Sequence, residues 1–145
     1  MNNNAKLEPF DMVLFGATGD LAMRKLVRAL YRRTGAGQIP AGSKIIGLAR
    51  SDLTREQYLG EVRASLEKYL NPGELTPERW EAFSSMVTYL RVDATVASDF
   101  QRLACELEGR TDVVRVIFLS MAPSLFTGVC SNLAAANLVT PKSRV

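Results

Sequence analysis

The chain has 145 residues, of which 47% are hydrophobic and 23% are charged, and its formal net charge is +3. These values are typical of one globular domain with a single hydrophobic core. The small basic excess lacks the concentrated patch of a nucleic-acid-binding protein, and no apolar run approaches the roughly 18–20 residues that span a bilayer. We therefore expect neither a nucleic acid nor a membrane as a partner.

The sequence contains no histidine and two cysteines, Cys105 and Cys130. Imidazole is the commonest general base near neutral pH, so a reaction that needs one must find it outside these residues. Two scattered cysteines make neither a zinc site nor a disulfide framework, and we predict no metal site. Both fall within predicted amphipathic helices, which predicts buried or half-buried thiols.

The first ten residues are polar and predict a disordered tail over 1–10. They contain no apolar signal core, which predicts a cytoplasmic protein. A short apolar run from Met12 to Phe15 then predicts a strand that is buried on both faces. A turn over 16–19 leads into a helix predicted from Asp20 to Thr34. Helical spacing places on its inward face Ala22, Leu26, Ala29 and Leu30.

Strands and helices alternate along the rest of the sequence. Further strands are predicted over 44–49, 87–92 and 113–121, and a fifth begins at 144–145. Helices are predicted over 54–70, from 76 onward, over 97–108 and from 123 onward. This alternation predicts an α/β fold for residues 11–145: a Rossmann-like, doubly wound parallel sheet with helices on both faces.

The turn between the first strand and the first helix reads Gly16-Ala17-Thr18-Gly19-Asp20-Leu21-Ala22. In doubly wound sheets this turn holds the pyrophosphate of a dinucleotide, because glycines let the backbone approach the ligand and free amides at the helix start face the anion. The spacing differs from Gly-x-Gly-x-x-Gly and also fits a purely structural turn. Its place between a buried strand and a helix favours phosphate binding.

Arg50 follows the second predicted strand directly, where such folds face the adenosine ribose. An arginine there is suited to the 2′-phosphate of NADP, whereas an acidic residue would favour NAD. A solvated surface arginine is the alternative. Asp93 and Ala94 end the third strand, and two interpretations stay open: contact with the adenine edge, or a cap on the next helix by Asp93.

The segment FGATGDLAMRKLVRALY, residues 15–31, closely resembles the start of the glucose-6-phosphate dehydrogenases. That family shows Gly-Ala-Ser/Lys/Thr-Gly-Asp-Leu-Ala followed by a basic pair, a leucine and Ala-Leu-Tyr. GLARS, the Asp93-Ala94 step, FLSMAPSLF and NLAAANL resemble the same family in the same order. Phe118 departs from the pattern, since the family often has tyrosine there, and Ala122-Pro123 stands where a Pro-Pro pair is common.

The resemblance implies a homo-oligomeric enzyme that oxidises glucose 6-phosphate to 6-phosphogluconolactone with NADP, in the first step of the oxidative pentose phosphate pathway. The cofactor-binding residues that it carries over are Gly16, Ala17, Thr18, Gly19, Asp20, Leu21, Arg50, Asp93 and Ala94. The family's Glu-Lys-Pro, its histidine base and its sugar-phosphate-binding residues have no counterpart in this chain. We assign no catalytic residue here and expect the substrate to be bound by a second domain, so the chain alone is expected to be inactive.

Two other classes fit parts of the pattern. Extended short-chain dehydrogenases and epimerases open with Gly-Ala-Thr-Gly-x-x-Gly, but their Tyr-x-x-x-Lys pair usually lies beyond the fourth strand, and residues 113–145 contain no tyrosine. A non-catalytic NADP sensor would keep the nucleotide turn and lack catalytic residues.

Overall fold

The computed structural model describes residues 8–145, so residues 1–7 of the predicted tail lie outside the described part. Among the described residues, a single parallel sheet has the strand order β3-β2-β1-β4-β5. The strands are β1 Phe10–Phe15, β2 Lys44–Ala49, β3 Val87–Arg91, β4 Val114–Leu119 and β5 Ser143–Arg144. The chain order reverses between β1 and β4, as in the predicted Rossmann-like fold.

Helices cover both faces of this sheet. They are α1 Val27–Gly35, α2 Arg55–Tyr69, α3 Pro77–Ser84, α4 Phe100–Glu106 and α5 Phe126–Ala135. One hydrophobic core lies between the sheet and α1, α2 and α3, and a second lies between the sheet and α4 and α5. The predicted order of elements is confirmed. Thr54 and Gln57 form a reciprocal capping box at the start of α2.

The first strand starts earlier than predicted. Phe10, which the predicted tail included, belongs to β1 and is aligned with Val114 of β4. Its amide also donates a hydrogen bond to the Ser43 hydroxyl at 3.1 Å. These contacts correct the tail boundary, because an aromatic residue that pairs on a strand is held by the sheet.

The first helix buries the predicted face at Ala22 and Leu30, with Leu26 packed against the core, but not at Ala29. Its opening turn, Ala22–Leu26, is π-helical, and the amide of Val27 donates to the carbonyl of Ala22. The wider turn shifts the helix that follows by one residue, so Ala29 is exposed and that part of the prediction is wrong. The buried residues of α1 are Val27, Leu30 and Tyr31.

Both cysteines are exposed free thiols, so their predicted burial is also wrong. In α4, Phe100 and Leu103 point into the core, with Leu107 just beyond the helix. Cys105 lies two residues after Leu103 and therefore falls on the outer side of the helix.

Candidate functional site

A pocket of about 390 Å³ opens at the carboxyl ends of the strands. It lies where β1 leads toward α1 on one face and β4 leads toward α5 on the other. In open α/β sheets, ligands bind at such a reversal of strand order. The wall is formed by Phe15, Gly16, Thr18, Gly19, Leu48, Ala49, Arg50, Ser51, Val92, Asp93, Ala94, Thr95, Ser120, Met121 and Leu125.

The glycine turn forms one side of this pocket. Gly16 has a φ of 80°, and a Cβ there would overlap the carbonyl group of Ser120 at the end of β4. The amides of Gly16 and Ala17 donate hydrogen bonds to the carbonyl oxygen of Leu48 at 2.9 and 3.0 Å. The amide of Gly19 donates a hydrogen bond to the carbonyl oxygen of Gly16 at 3.0 Å. The turn is therefore drawn tightly against the sheet, with its backbone in the pocket wall. Phosphate binding by this turn stays a prediction.

The predicted residues of this turn are divided between the pocket wall and its surroundings. Those in the wall are Gly16, Thr18 and Gly19. Ala17 is fully buried beneath the turn. Asp20 and Leu21 are exposed outside the wall, and Asp20 pairs with Arg24 at 3.1 Å. Their contact with a cofactor stays a prediction.

Arg50 and Asp93 lie in the opposite wall, at the ends of β2 and β3. Arg50 is exposed, and its carbonyl accepts a hydrogen bond from Arg91 Nε at 3.2 Å. Asp93 Oδ1 accepts from the Thr95 hydroxyl at 2.7 Å and from the Thr95 amide at 2.9 Å. These two bonds lower the pKa of Asp93, and the positive charges of Arg50 and Arg91 act in the same direction.

The geometry distinguishes the two interpretations of Asp93. Its carboxylate oxygen is engaged in a local turn with Thr95 and does not cap the next helix, which starts with a 3₁₀ turn at Ala97–Asp99. Asp99 Oδ2 accepts a hydrogen bond from the amide of Asp93 at 3.0 Å. Asp93 and Ala94 therefore remain part of the pocket wall.

Part of the pocket wall consists of residues outside the predicted set. Thr95, Ser120, Met121 and Leu125 line the pocket, the last three of them within the family-like segment over 118–126. Phe118, which departs from the family pattern, does not line the pocket. It packs against the core on the α1 side of the sheet. The alternation of side chains along β4 accounts for this placement.

A larger groove of about 740 Å³ lies elsewhere, lined at the amino ends of the strands by Lys44, Arg55 and Arg110 among others. Its cationic groups are already engaged: Lys44 pairs with Glu106 at 2.8 Å, and Arg110 pairs with Asp11 at 2.7 Å. Arg55 donates to main-chain carbonyl groups. Since these cations are already paired within the protein, the smaller pocket is the better candidate.

Within residues 8–145, no helix has both the length and the apolar character needed to cross a membrane. No cluster of Cys, Asp or Glu side chains in the same range is arranged to hold a metal ion.

The family model described as "Glucose-6-phosphate dehydrogenase, NAD binding domain" matches residues 13–145. The chain belongs to this family. It is 42% identical over 147 residues to the glucose-6-phosphate 1-dehydrogenase of Gluconobacter oxydans, covering 100% of this chain and 30% of that relative. The corresponding protein of Mycolicibacterium smegmatis is 39% identical over 143 residues, covering 96% of this chain and 29% of the relative.

Solved structures of glucose-6-phosphate dehydrogenases share the fold. The enzyme of Mycobacterium avium superposes with a TM-score of 0.85 at 31% identity, covering 95% of this chain and 29% of that one. A glucose-6-phosphate dehydrogenase in complex with its substrate gives a TM-score of 0.78 at 30% identity, covering 94% and 29%. These matches confirm the resemblance and set aside the short-chain dehydrogenase alternative. The chain spans about 30% of the length of the relatives that it matches.

Proposed function

We propose that the chain is the cofactor-binding part of an NADP-dependent glucose-6-phosphate dehydrogenase. The observation that carries this proposal is that the glycine turn and Arg50 form two walls of one pocket. The turn suits a pyrophosphate, and the arginine guanidinium suits a 2′-phosphate through two parallel hydrogen bonds. Arg50 supports NADP over NAD, although the family description refers to NAD.

Each wall of the pocket has a role in this proposal. The Gly16–Gly19 turn and the start of the following helix bind the pyrophosphate, and Arg50 with Ser51 binds the phosphorylated ribose. Asp93, Ala94 and Thr95 border the adenine. When bound, NADP supplies the nicotinamide ring that accepts a hydride. The residues of this chain bind and orient the cofactor so that the ring faces a substrate held elsewhere.

The proposed reaction converts glucose 6-phosphate to the 6-phosphogluconolactone. In this reaction a base would take the proton of the C1 hydroxyl, and bound NADP would supply the acceptor for the hydride on C1. The chain has no histidine, so we propose that the base and the sugar-phosphate-binding groups belong to a longer protein, in line with the length of the relatives. We propose a cytoplasmic location for the longer protein. Homo-oligomerisation of the longer protein stays a prediction.

Calorimetric titration with NADP and NAD tests the cofactor assignment. Arg50→Ala should weaken NADP binding by about 1–3 kcal/mol, the scale of a charge-assisted hydrogen bond, and leave NAD binding unchanged. Arg33→Ala is the matched control, because Arg33 is exposed on α1 and lies outside the pocket wall. Equal losses for both cofactors in Arg50→Ala would contradict the 2′-phosphate assignment.

A further inference from the structure

Two buried tyrosines stack on each other beneath the candidate cofactor pocket. Tyr58 of α2 and Tyr89 of β3 are 2% and 6% exposed. Their ring centroids are 4.8 Å apart and their planes are inclined by 25°. Both belong to the core between the sheet and α1, α2 and α3, and neither lines the pocket. Direct contact with a bound cofactor is therefore not their role.

Each hydroxyl in this pair holds a different wall of the pocket. The Tyr58 hydroxyl donates to the carbonyl of Ala17, in the middle of the glycine turn, at 3.1 Å. The Tyr89 hydroxyl lies within hydrogen-bond distance of the carbonyls of Ser51 at 2.6 Å and Ala49 at 3.2 Å. Because the rings are in contact, the stacked pair connects the proposed pyrophosphate-binding turn to the proposed ribose-binding loop.

The hydrogen bonds of the Tyr89 hydroxyl involve the two residues that flank Arg50. Ala49 and Ser51 are the residues on either side of it, and the hydroxyl approaches both of their carbonyls. The carbonyl of Arg50 itself accepts from Arg91 Nε at 3.2 Å. The backbone is thus fixed at three successive carbonyl groups, and this fixes the direction in which the Arg50 side chain leaves the chain.

Gly47 of β2 makes the approach of Tyr58 possible. A Cβ at Gly47 would lie 3.0 Å from Ala17 Cβ and 3.1 Å from both Cζ and the hydroxyl oxygen of Tyr58. A side chain there would require Tyr58 or Ala17 to shift by a few tenths of an ångström. The glycine therefore has a packing role, in which it leaves room for the tyrosine–turn hydrogen bond.

Burial raises the pKa of both tyrosine hydroxyls. Both groups therefore remain protonated and able to donate across the ordinary pH range. A buried donor that lost its acceptor would be costly, so these hydrogen bonds hold the two loops to one geometry.

We propose that Tyr58 and Tyr89 are positioning residues for the dinucleotide, and that the Tyr89 hydroxyl sets the preference for NADP by aiming Arg50 at the 2′-phosphate. This inference rests on the proposed function. It assigns different consequences to the two hydroxyls: Tyr58 acts on the pyrophosphate, which NADP and NAD share, whereas Tyr89 acts on the phosphate that only NADP carries.

The test compares three variants that each remove one buried hydroxyl and keep the ring. Tyr89→Phe should raise the Kd for NADP about 5- to 10-fold and leave that for NAD unchanged. Tyr58→Phe should raise both Kd values by similar factors. Tyr31→Phe is the control, because the Tyr31 hydroxyl is buried and donates to the carbonyl of Glu74, away from the pocket. It should change neither.

Phosphorus NMR of bound NADP adds a readout that a general loss of stability would not reproduce. Tyr89→Phe should shift the 2′-phosphate resonance, and Tyr58→Phe should shift the diphosphate resonances. If Tyr89→Phe weakens NADP and NAD equally, or weakens neither, the positioning role is overturned. If the unmodified chain itself shows no preference for NADP, the proposed function fails together with this inference. A preference that Arg50→Ala abolishes and Tyr89→Phe retains overturns this inference alone.

Discussion

Asp11 in β1 and Arg110 in the loop before β4 form a bidentate ion pair across 99 positions of the sequence. Arg110 Nη2 lies 2.7 Å from Asp11 Oδ1, and Arg110 Nε lies 2.9 Å from Asp11 Oδ2. Asp11 is fully buried, and Arg115, its register partner on β4, is also buried. Burial lowers the pKa of Arg115, and the charge of Asp11 acts against that shift. One carboxylate thus compensates two guanidinium groups.

Asp11→Asn should therefore destabilise the fold strongly. It removes the compensating charge and leaves the buried Arg115 close to the partly exposed Arg110, which should lower the free energy of unfolding by about 3 kcal/mol. Glu67→Gln is the control, because Glu67 pairs with Arg63 on the exposed side of α2 and should change stability by less than about 1 kcal/mol. Urea denaturation measures both. Equal stability of the two variants would contradict the role assigned to the buried pair.

Glu74 gives the fold a defined acid sensitivity. Its carboxylate accepts two hydrogen bonds from Arg32, at 2.7 and 2.9 Å, and one from the amide of Asn71, at 2.8 Å. The Arg32 and Asn71 hydrogen bonds lower the pKa of Glu74 from 4.5 to about 2. Since the folded state binds this proton less readily than the unfolded state, the stabilisation is complete above about pH 4.5 and is lost as the pH falls toward 2.

The stability difference between the unmodified chain and Glu74→Gln should follow the same course. It should be constant from neutral pH down to about 5 and shrink progressively toward pH 2, because protonation makes the two side chains similar in charge. Urea denaturation at a series of pH values measures it. A difference that stays constant down to pH 2, or increases on acidification, would show that this carboxyl is not the group responsible.

Much of the fold was predictable because the local signals agreed with one another. Apolar runs and the place of the glycine turn both indicated alternating strands and helices. The π-helical turn at Ala22–Leu26 was not predictable, because the spacing rule assumes one helical period throughout. Along α2, by contrast, the buried residues Tyr58, Val62 and Leu66 keep regular helical spacing.

The candidate site was predictable where sequence position implies geometry. Gly16 and Arg50 follow strands directly, Gly19 lies in the same turn as Gly16, and the ends of parallel strands meet at one edge of a sheet. The contributions of Tyr58 and Tyr89 lacked such a signal. Their hydroxyls contact residues 41 and 38 positions away, and only the assembled sheet brings them together.

The two glycines of the turn should respond differently to substitution. Gly19→Val should keep the fold, since Gly19 has an ordinary φ and a Cβ there, 3.3 Å from the carbonyl oxygen of Gly16, requires a shift of only a few tenths of an ångström. The new side chain should crowd the pyrophosphate and weaken both cofactors more than about 10-fold. Gly16→Ala should destabilise the protein by at least about 2 kcal/mol, because its positive φ and the Ser120 carbonyl leave no room for a Cβ.

Melting temperatures and cofactor titrations together distinguish these outcomes. Gly60→Val is the matched control for Gly19→Val, because Gly60 lies on α2 with open space around it and should affect neither cofactor. Normal cofactor binding by a folded Gly19→Val variant would show that this turn does not hold the pyrophosphate.

The 145-residue chain should bind NADP without oxidising glucose 6-phosphate. Within the pocket wall, the ionisable side chains are those of Arg50 and Asp93. Arginine stays protonated, and the lowered pKa of Asp93 makes it a weak base that is already engaged by Thr95. A coupled absorbance assay at saturating NADP should therefore detect no NADPH, and calorimetry should detect no binding of glucose 6-phosphate. The enzyme of Gluconobacter oxydans serves as the positive control. Steady NADPH formation by the purified, mass-verified chain would place a catalytic base among these residues and overturn the proposed division of roles.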